Sequence, residues 1–284
     1  MEDFNNFCGL ESKFSEYTTS NIVILPVPYE KTTSWAKGTA KAPEAIIEAS
    51  KNMELYCIET ESEVYRKGIF TSEPLCCEEP NSLFIQLDKR VKDYYKDNKY
   101  VVSIGGEHTI TAGLVKSYNE LYDNLSVVIF DAHTDLRDEY EGEKFSHACV
   151  SKRILDYGIR PLQIGIRSMD LSEKTNIDDN YIYYAKNIKC EDSSKWLDNL
   201  IGRLKENVYI SIDLDVLDPS EMPSVGTPEP GGLGWYDIIE IIRRIASSRK
   251  IISFDVVELC PNELLFSNFT AAKLIYTTLS YINK

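Results

Sequence analysis

The 284-residue sequence predicts an α/β protein, with a mostly parallel sheet flanked by helices. Three observations predict it. About eight short runs rich in β-branched and aromatic residues recur along the chain, and segments with helical spacing fall between them. Four of the runs end in conspicuous polar groups, near residues 105, 131, 213 and 258. A parallel sheet brings strand ends of one sense to one edge, which is where open α/β folds bind ligands. Alternation alone fits a closed barrel equally well.

Taken in order, the chain reads as a single domain over residues 1–284, in which residues 1–20 are a polar lead-in with little to bury. Asn21 to Pro28 is a buried strand stopped by prolines. A long loop from Tyr29 to Ala42 follows, carrying Thr32, Thr33, Ser34, Trp35 and Gly38; loops of this length are often functional. Pro43 suits the first turn of a helix running to about Met53. Arg66 to Thr71 is a further strand, and Asn81 to Asp97 a helix with Leu83, Ile85, Leu87 and Val91 as apolar candidates. Lys99 to Ile104 is a strand ending in Gly105-Gly106-Glu107-His108, where the glycine pair permits a sharp turn into a helix near Ile110 to Glu120.

Ser126 to Phe130 is the next strand, and Asp131-Ala132-His133-Thr134-Asp135 follows it. Extended backbone would put Asp131, His133 and Asp135 on one side, aiming two carboxylates and an imidazole at a single point. Ser146 can cap a helix from His147 to about Tyr157. Pro161 to Ile166 and Tyr181 to Ala185 are strands, with a helix from Asp192 to Leu204 after them. Asn207 to Asp215 repeats the earlier pattern, an apolar run ending in Asp213 and Asp215 on one face. A Pro/Gly-rich loop from Asp218 to Gly234 leads to an amphipathic helix marked by Ile238, Ile241, Ile242 and Ile245. Ile251 to Glu258 is the last strand and Phe269 to Tyr281 the last helix.

Composition narrows the function. A net charge of −14, from 45 acidic against 31 basic residues, disfavours nucleic acid and anionic membranes as partners and tilts towards a cationic ligand. Seven cysteines without a CxxC pair argue against a disulfide framework or zinc knuckle and for a reducing cytoplasm. The N-terminus lacks a basic and apolar leader, and no apolar run approaches the ~20 residues of a membrane span, so a soluble cytoplasmic protein is expected.

All three histidines, His108, His133 and His147, fall at or soon after the marked strand ends. For one histidine alone, a satisfied imidazole or helix cap is the simpler reading. Four aspartates at the same edge, Asp131, Asp135, Asp213 and Asp215, would repel strongly without cations, so two divalent metals fit the set better. Oxygen and imidazole donors without thiolate suit a hard or borderline ion.

The segments Gly105-Gly106-Glu107-His108, Asp131-Ala132-His133-Thr134-Asp135, Ser146-His147, Ser211 to Pro219, Thr227 to Leu233 and Asp255-Val256-Val257-Glu258 together resemble the ureohydrolases, the arginase and agmatinase family, and its agmatinases most closely. The resemblance implies a three-layer α/β/α fold with an open eight-stranded sheet and a site for two Mn²⁺ ions. It implies one metal on His108, Asp131, Asp135 and Asp213 and the other on His133, Asp131, Asp213 and Asp215. Asp135 would also orient the attacking water, His147 would shuttle a proton to the leaving amine, and Glu258 would hold the substrate guanidinium. A homo-oligomer, trimer or hexamer, is implied as well.

For the substrate, residues 136–146 are acidic and lack the Asn-rich character that arginases use for an amino-acid head group. An acidic rim would suit the free ammonium of agmatine, with aminopropylagmatine, guanidinobutyrate and arginine as alternatives. A polyamine deacetylase or a silent binding homologue competes from other classes; the first would not need Glu258, His108 and Asp215, and the second would be expected to have lost ligands. Three departures from the family pattern stand out: Glu107 for Asp, Ala148 for Gly, and Ser224-Val225 within a Gly-rich run.

Overall fold

The computed structural model describes residues 5–190 and 193–283. Eight strands form one all-parallel sheet: β1 Ile22–Val27, β2 Ile69–Thr71, β3 Tyr100–Gly105, β4 Leu125–Phe130, β5 Leu162–Ile166, β6 Ile182–Tyr184, β7 Asn207–Asp213 and β8 Lys250–Val257. Their spatial order is β2-β1-β3-β8-β7-β4-β5-β6, so the sheet is open, with β2 and β6 at its edges. That resolves the choice between sheet and barrel.

The order has a functional consequence. The strands whose ends carry the expected site residues, β3, β8, β7 and β4, are consecutive neighbours at the centre of the sheet. The chain passes from β3 to β4 across two places later filled by β8 and β7, and such a reversal opens a crevice at the strand ends.

Apolar side chains on both faces of the sheet pack against helices, which is why the strands read as continuous apolar runs. The helix Trp235–Ser248 buries Ile238, Ile239, Ile241, Ile242 and Ile245 against one layer, about 1.5 to 3 kcal/mol for each side chain removed from water. On the other layer, Pro80–Lys96 buries Leu83, Leu87 and Val91 as expected, but Ile85 is 72% exposed and lies on the solvent face.

The early residues also depart from expectation. Phe7, Cys8 and Leu10 are buried in the core; Phe7 N donates to Thr71 Oγ1 at 2.9 Å and Cys8 N to Ser50 Oγ at 2.7 Å. The segment therefore seals the β2 edge rather than leading into the fold. A composition average over residues 1–20 hides these few anchors. The last helix begins at Leu265, earlier than expected, and the helix expected from Asp192 is described as Ser193–Arg203, Asp192 itself lying outside the described residues. Among the described residues no helix is long and apolar enough to cross a membrane.

Candidate metal centre and active site

At the end of β3 the chain turns sharply under β1. Gly106 N donates to Val27 O, Glu107 N donates to Tyr29 O, and a Cβ on Gly106 would come within 2.1 Å of that carbonyl. Only glycine fits there, and the turn delivers His108 into the crevice. Two other site residues, Asp135 (φ 49°) and Glu258 (φ 66°), adopt the left-handed conformation, a strained choice that non-glycine residues keep where surrounding structure holds them.

The expected metal ligands converge. His108 Nδ1 lies 3.3 Å from Asp131 Oδ2, 3.2 Å from Asp135 Oδ2 and 3.3 Å from Asp213 Oδ2. His133 Nδ1 lies 2.9 Å from Asp215 Oδ2 and 3.6 Å from Asp131 Oδ1. Two ligand groups result, His108/Asp131/Asp213 and Asp131/His133/Asp215, and they share Asp131. Backbone N–H groups fix the carboxylates: Ala132 N donates to Asp215 Oδ1, His133 N to Asp131 Oδ1 and Asp215 N to Asp213 Oδ1.

A polar network behind His108 tests whether these residues fit a cation. Ser211 Oγ donates to Asp255 Oδ1 at 2.7 Å, and the Asp255 carboxylate also receives the Thr111 and Tyr209 hydroxyls. With its hydrogen committed, Ser211 accepts from His108 Nε2, 3.1 Å away. Nδ1 then faces three carboxylates, and both Nδ1 and Asp131 Oδ2 are buried without a hydrogen-bond partner. Burial opposes protonation, yet Asp131, Asp135 and Asp213 push the His108 pKa well above the imidazole range, so the pocket calls for positive charge at Nδ1, a proton or a bound cation. Lone pairs facing carboxylates are repulsive unless a cation lies between them.

The electrostatics point the same way. Burial and the Asp215 and Asp131 carboxylates push Asp213 well above the carboxylate range, and burial with Asp131 pushes Asp135 up to about 7. Burial opposes protonation of His133, yet Asp215 and Asp131 hold its pKa at about 12. Shifts in this direction mark a cluster that favours positive charge among its oxygens, and the thiolate-free donor set suits hard or borderline divalent ions. The residues present fit a binuclear centre.

Above this floor is a cavity of about 290 Å³, small enough to favour a slender ligand over a bulky one. His147 and Glu258 line it, so all the expected site residues come together. Glu258 Oε1 accepts from His108 N at 2.6 Å, while burial and the neighbouring Glu107 raise its pKa to about 8. A cationic partner would reverse that shift. His147 Nδ1 lies 3.1 Å from Thr32 Oγ1, and its ring meets Tyr140 edge-on at 5.3 Å. Burial, then the charges of His108 and His133, lower the His147 pKa to about 4, so the ring is neutral near neutral pH.

The acidic rim expected from residues 136–146 is not built that way. From that segment the cavity is lined by Arg137 and Tyr140, whereas Asp138 is turned outward onto Arg153 and Glu139 and Glu141 are exposed. A tight turn closed between Tyr140 and Glu143 points these acids to solvent. The cavity's acids at this side are instead Asp170 and Glu173, each 3.6 Å from the Arg137 guanidinium, which sits over the Tyr140 ring.

Some site residues had no part in the sequence expectations. Arg167 donates to the backbone carbonyls of Asp215 and Glu229, both at 2.7 Å, tying the loop after β7 to the end of β5. It directly follows a strand end, the same positional signal that marked the histidines. Among the departures, Val225 forms an antiparallel bridge with Leu259 and Ser224 O accepts from Cys260 N, bracing the backbone beside Glu258.

Comparison with known proteins agrees with this geometry. A sequence model of the arginase family matches residues 20–280. The chain is 36% identical to an N(1)-aminopropylagmatine ureohydrolase from Synechocystis sp., over 96% of this chain and 92% of that protein. It is 32% identical to an agmatinase from Pyrococcus horikoshii, over 90% of each. The crystal structure of the agmatine ureohydrolase of Thermoplasma volcanium superposes with a TM-score of 0.86 at 29% identity, covering 98% of this chain and 94% of that one. With fold, strand-end motifs and family match in agreement, the chain belongs to the arginase family.

Proposed function

We propose that this protein is a manganese-dependent ureohydrolase that cleaves agmatine to putrescine and urea. The observation that carries the reading is the pair of ligand groups sharing Asp131 at the floor of a cavity lined by His147 and Glu258. His108, Asp131, Asp135 and Asp213 would hold one ion, and His133, Asp131, Asp213 and Asp215 the other. Carboxylate-rich, thiolate-free ligation favours Mn²⁺ over structural zinc. When bound, such a pair lowers the pKa of water towards neutrality.

The chain's own residues do the rest. Glu258 pairs with the guanidinium and holds its carbon over the floor. Asp135 orients the attacking water by a hydrogen bond. A protonated amine leaves far more readily than a free one, so His147 accepts a proton from that water and gives it to the departing nitrogen. Asp170 and Glu173, set against the single Arg137, leave the cavity wall net negative and support a substrate whose tail ends in an ammonium. This replaces the rim of residues 136–146 as the reason for preferring agmatine to arginine.

Aminopropylagmatine is the second reading, favoured by the name of the 36% identical relative. A homo-oligomer in the cytoplasm belongs to the same proposal, tested by sedimentation and cell fractionation. Purified protein with Mn²⁺ should release urea from agmatine or aminopropylagmatine, and much less from arginine or guanidinobutyrate. Urea from none of the four would overturn the proposal, as would acetate release from an acetylated polyamine.

A further inference from the structure

The long loop after β1 and the departure at Glu107 meet at one hydroxyl. Glu107 is buried, and both its oxygens are engaged. Oε2 accepts from Lys31 N and Thr32 N, both at 2.6 Å, and Oε1 accepts from Thr32 Oγ1 at 2.8 Å and from Thr109 Oγ1. Thr32 Oγ1 in turn lies 3.1 Å from His147 N and 3.1 Å from His147 Nδ1.

A hydroxyl has one hydrogen to give and two lone pairs to accept with. The Thr32 hydrogen goes to Glu107, so its lone pairs face His147. One accepts the His147 backbone N–H. The other faces Nδ1, and that contact is favourable only when Nδ1 carries the ring hydrogen. Ser146 Oγ also approaches Nδ1, at the longer 3.4 Å, and it accepts from Ala148 N as a helix cap. The neutral imidazole has a single N–H, so Nε2 is left with a lone pair.

We propose that Glu107 and Thr32 are positioning residues that hold His147 as its Nδ1–H tautomer, making Nε2 the atom that accepts and returns the proton. The inference rests on the reading of His147 as proton carrier. It also accounts for Glu107, whose one carboxylate spans two backbone amides and two hydroxyls and so anchors the loop that holds the tautomer. No net proton is gained over a cycle, since Nε2 gives to the leaving amine the proton it took from water.

The tautomer is measurable without activity. With three histidines in the chain, ¹⁵N-edited NMR of the protein loaded with a diamagnetic divalent ion can assign each ring. His147 should show a protonated Nδ1 and a bare Nε2. Thr32→Val, which keeps shape and removes the hydroxyl, should mix the tautomers and lower kcat about ten-fold or more, a part of the ordinary worth of an acid–base group. KM and metal content should hold, and Thr32→Ser should restore both tautomer and rate. A protonated Nε2 in the wild-type protein overturns the inference, as does a Thr32→Val enzyme with unchanged tautomer and kcat. If His147→Ala keeps full turnover, the proton-carrier reading fails instead, while the NMR result still decides the tautomer.

Discussion

The floor of the cavity takes its residues from the ends of four adjacent central strands, while the wall around His147 comes from the loop after β1 and from residues 136–148 and 168–173. On the floor, Asp131, Asp213 and Asp215 are nearly inaccessible and each accepts a backbone N–H. On the wall, Arg137 and Tyr140 are half-exposed and touch their partners at longer range. The difference separates two duties. A floor that must bring like charges together needs rigid backbone, whereas a wall that selects a substrate tail needs only side chains of suitable sign.

If that division is right, damage should scale with depth. Asp213→Asn on the floor should lower kcat by about 10³-fold or more and reduce bound metal, because the proposal makes its carboxylate a ligand to both ions, a role worth several kcal/mol of charge stabilisation; metal analysis beside a urea assay checks it. Full activity with full metal would break the comparison. His147→Ala, on the wall and proposed as the proton carrier, should cost about 10² to 10⁴ in kcat with metal content intact. Loss of metal as well would place His147 on the floor.

Two smaller effects sharpen the boundary. Ser211→Ala removes the acceptor behind His108 and should weaken metal affinity about 10- to 100-fold in a chelator competition, with near-normal turnover once metal is saturating. The outermost change should do least: the double variant Glu139→Gln, Glu141→Gln should leave KM for agmatine within about two-fold, since exposed charges interact weakly across water. A large rise in KM would return those acids to the rim.

The same boundary explains what could be read in the sequence. Strand-end aspartates and histidines stood out because strand periodicity and parallel topology fix where such side chains go, and the floor is made of nothing else. The wall depends on a turn. Nothing in the composition of residues 136–146 says that the Tyr140–Glu143 turn sends Glu139 and Glu141 outward and leaves Arg137 inside. Phe7 was hidden for a related reason, since one aromatic in a polar stretch has no period to announce it. Thr32 and Glu107 lie far apart in the chain, and their partnership appears only when the loop after β1 folds over β3.

The strand order has one more consequence, for how the protein matures. β3 and β8 are adjacent in space, yet His108 and Glu258, joined by a hydrogen bond at their ends, are 150 residues apart in the chain. β4 and β7 pair directly, so the Asp131/His133/Asp215 group needs no other strand, but His108 at the end of β3 joins Asp131 and Asp213 only across β8, the distant C-terminal strand. Contacts so remote in sequence form late and slowly. Uptake of a second divalent ion, the one that needs His108, should therefore lag behind the appearance of β structure during refolding, and a chain lacking residues 250–284 should not acquire it. The metal site thus serves as the protein's own certificate of completed assembly.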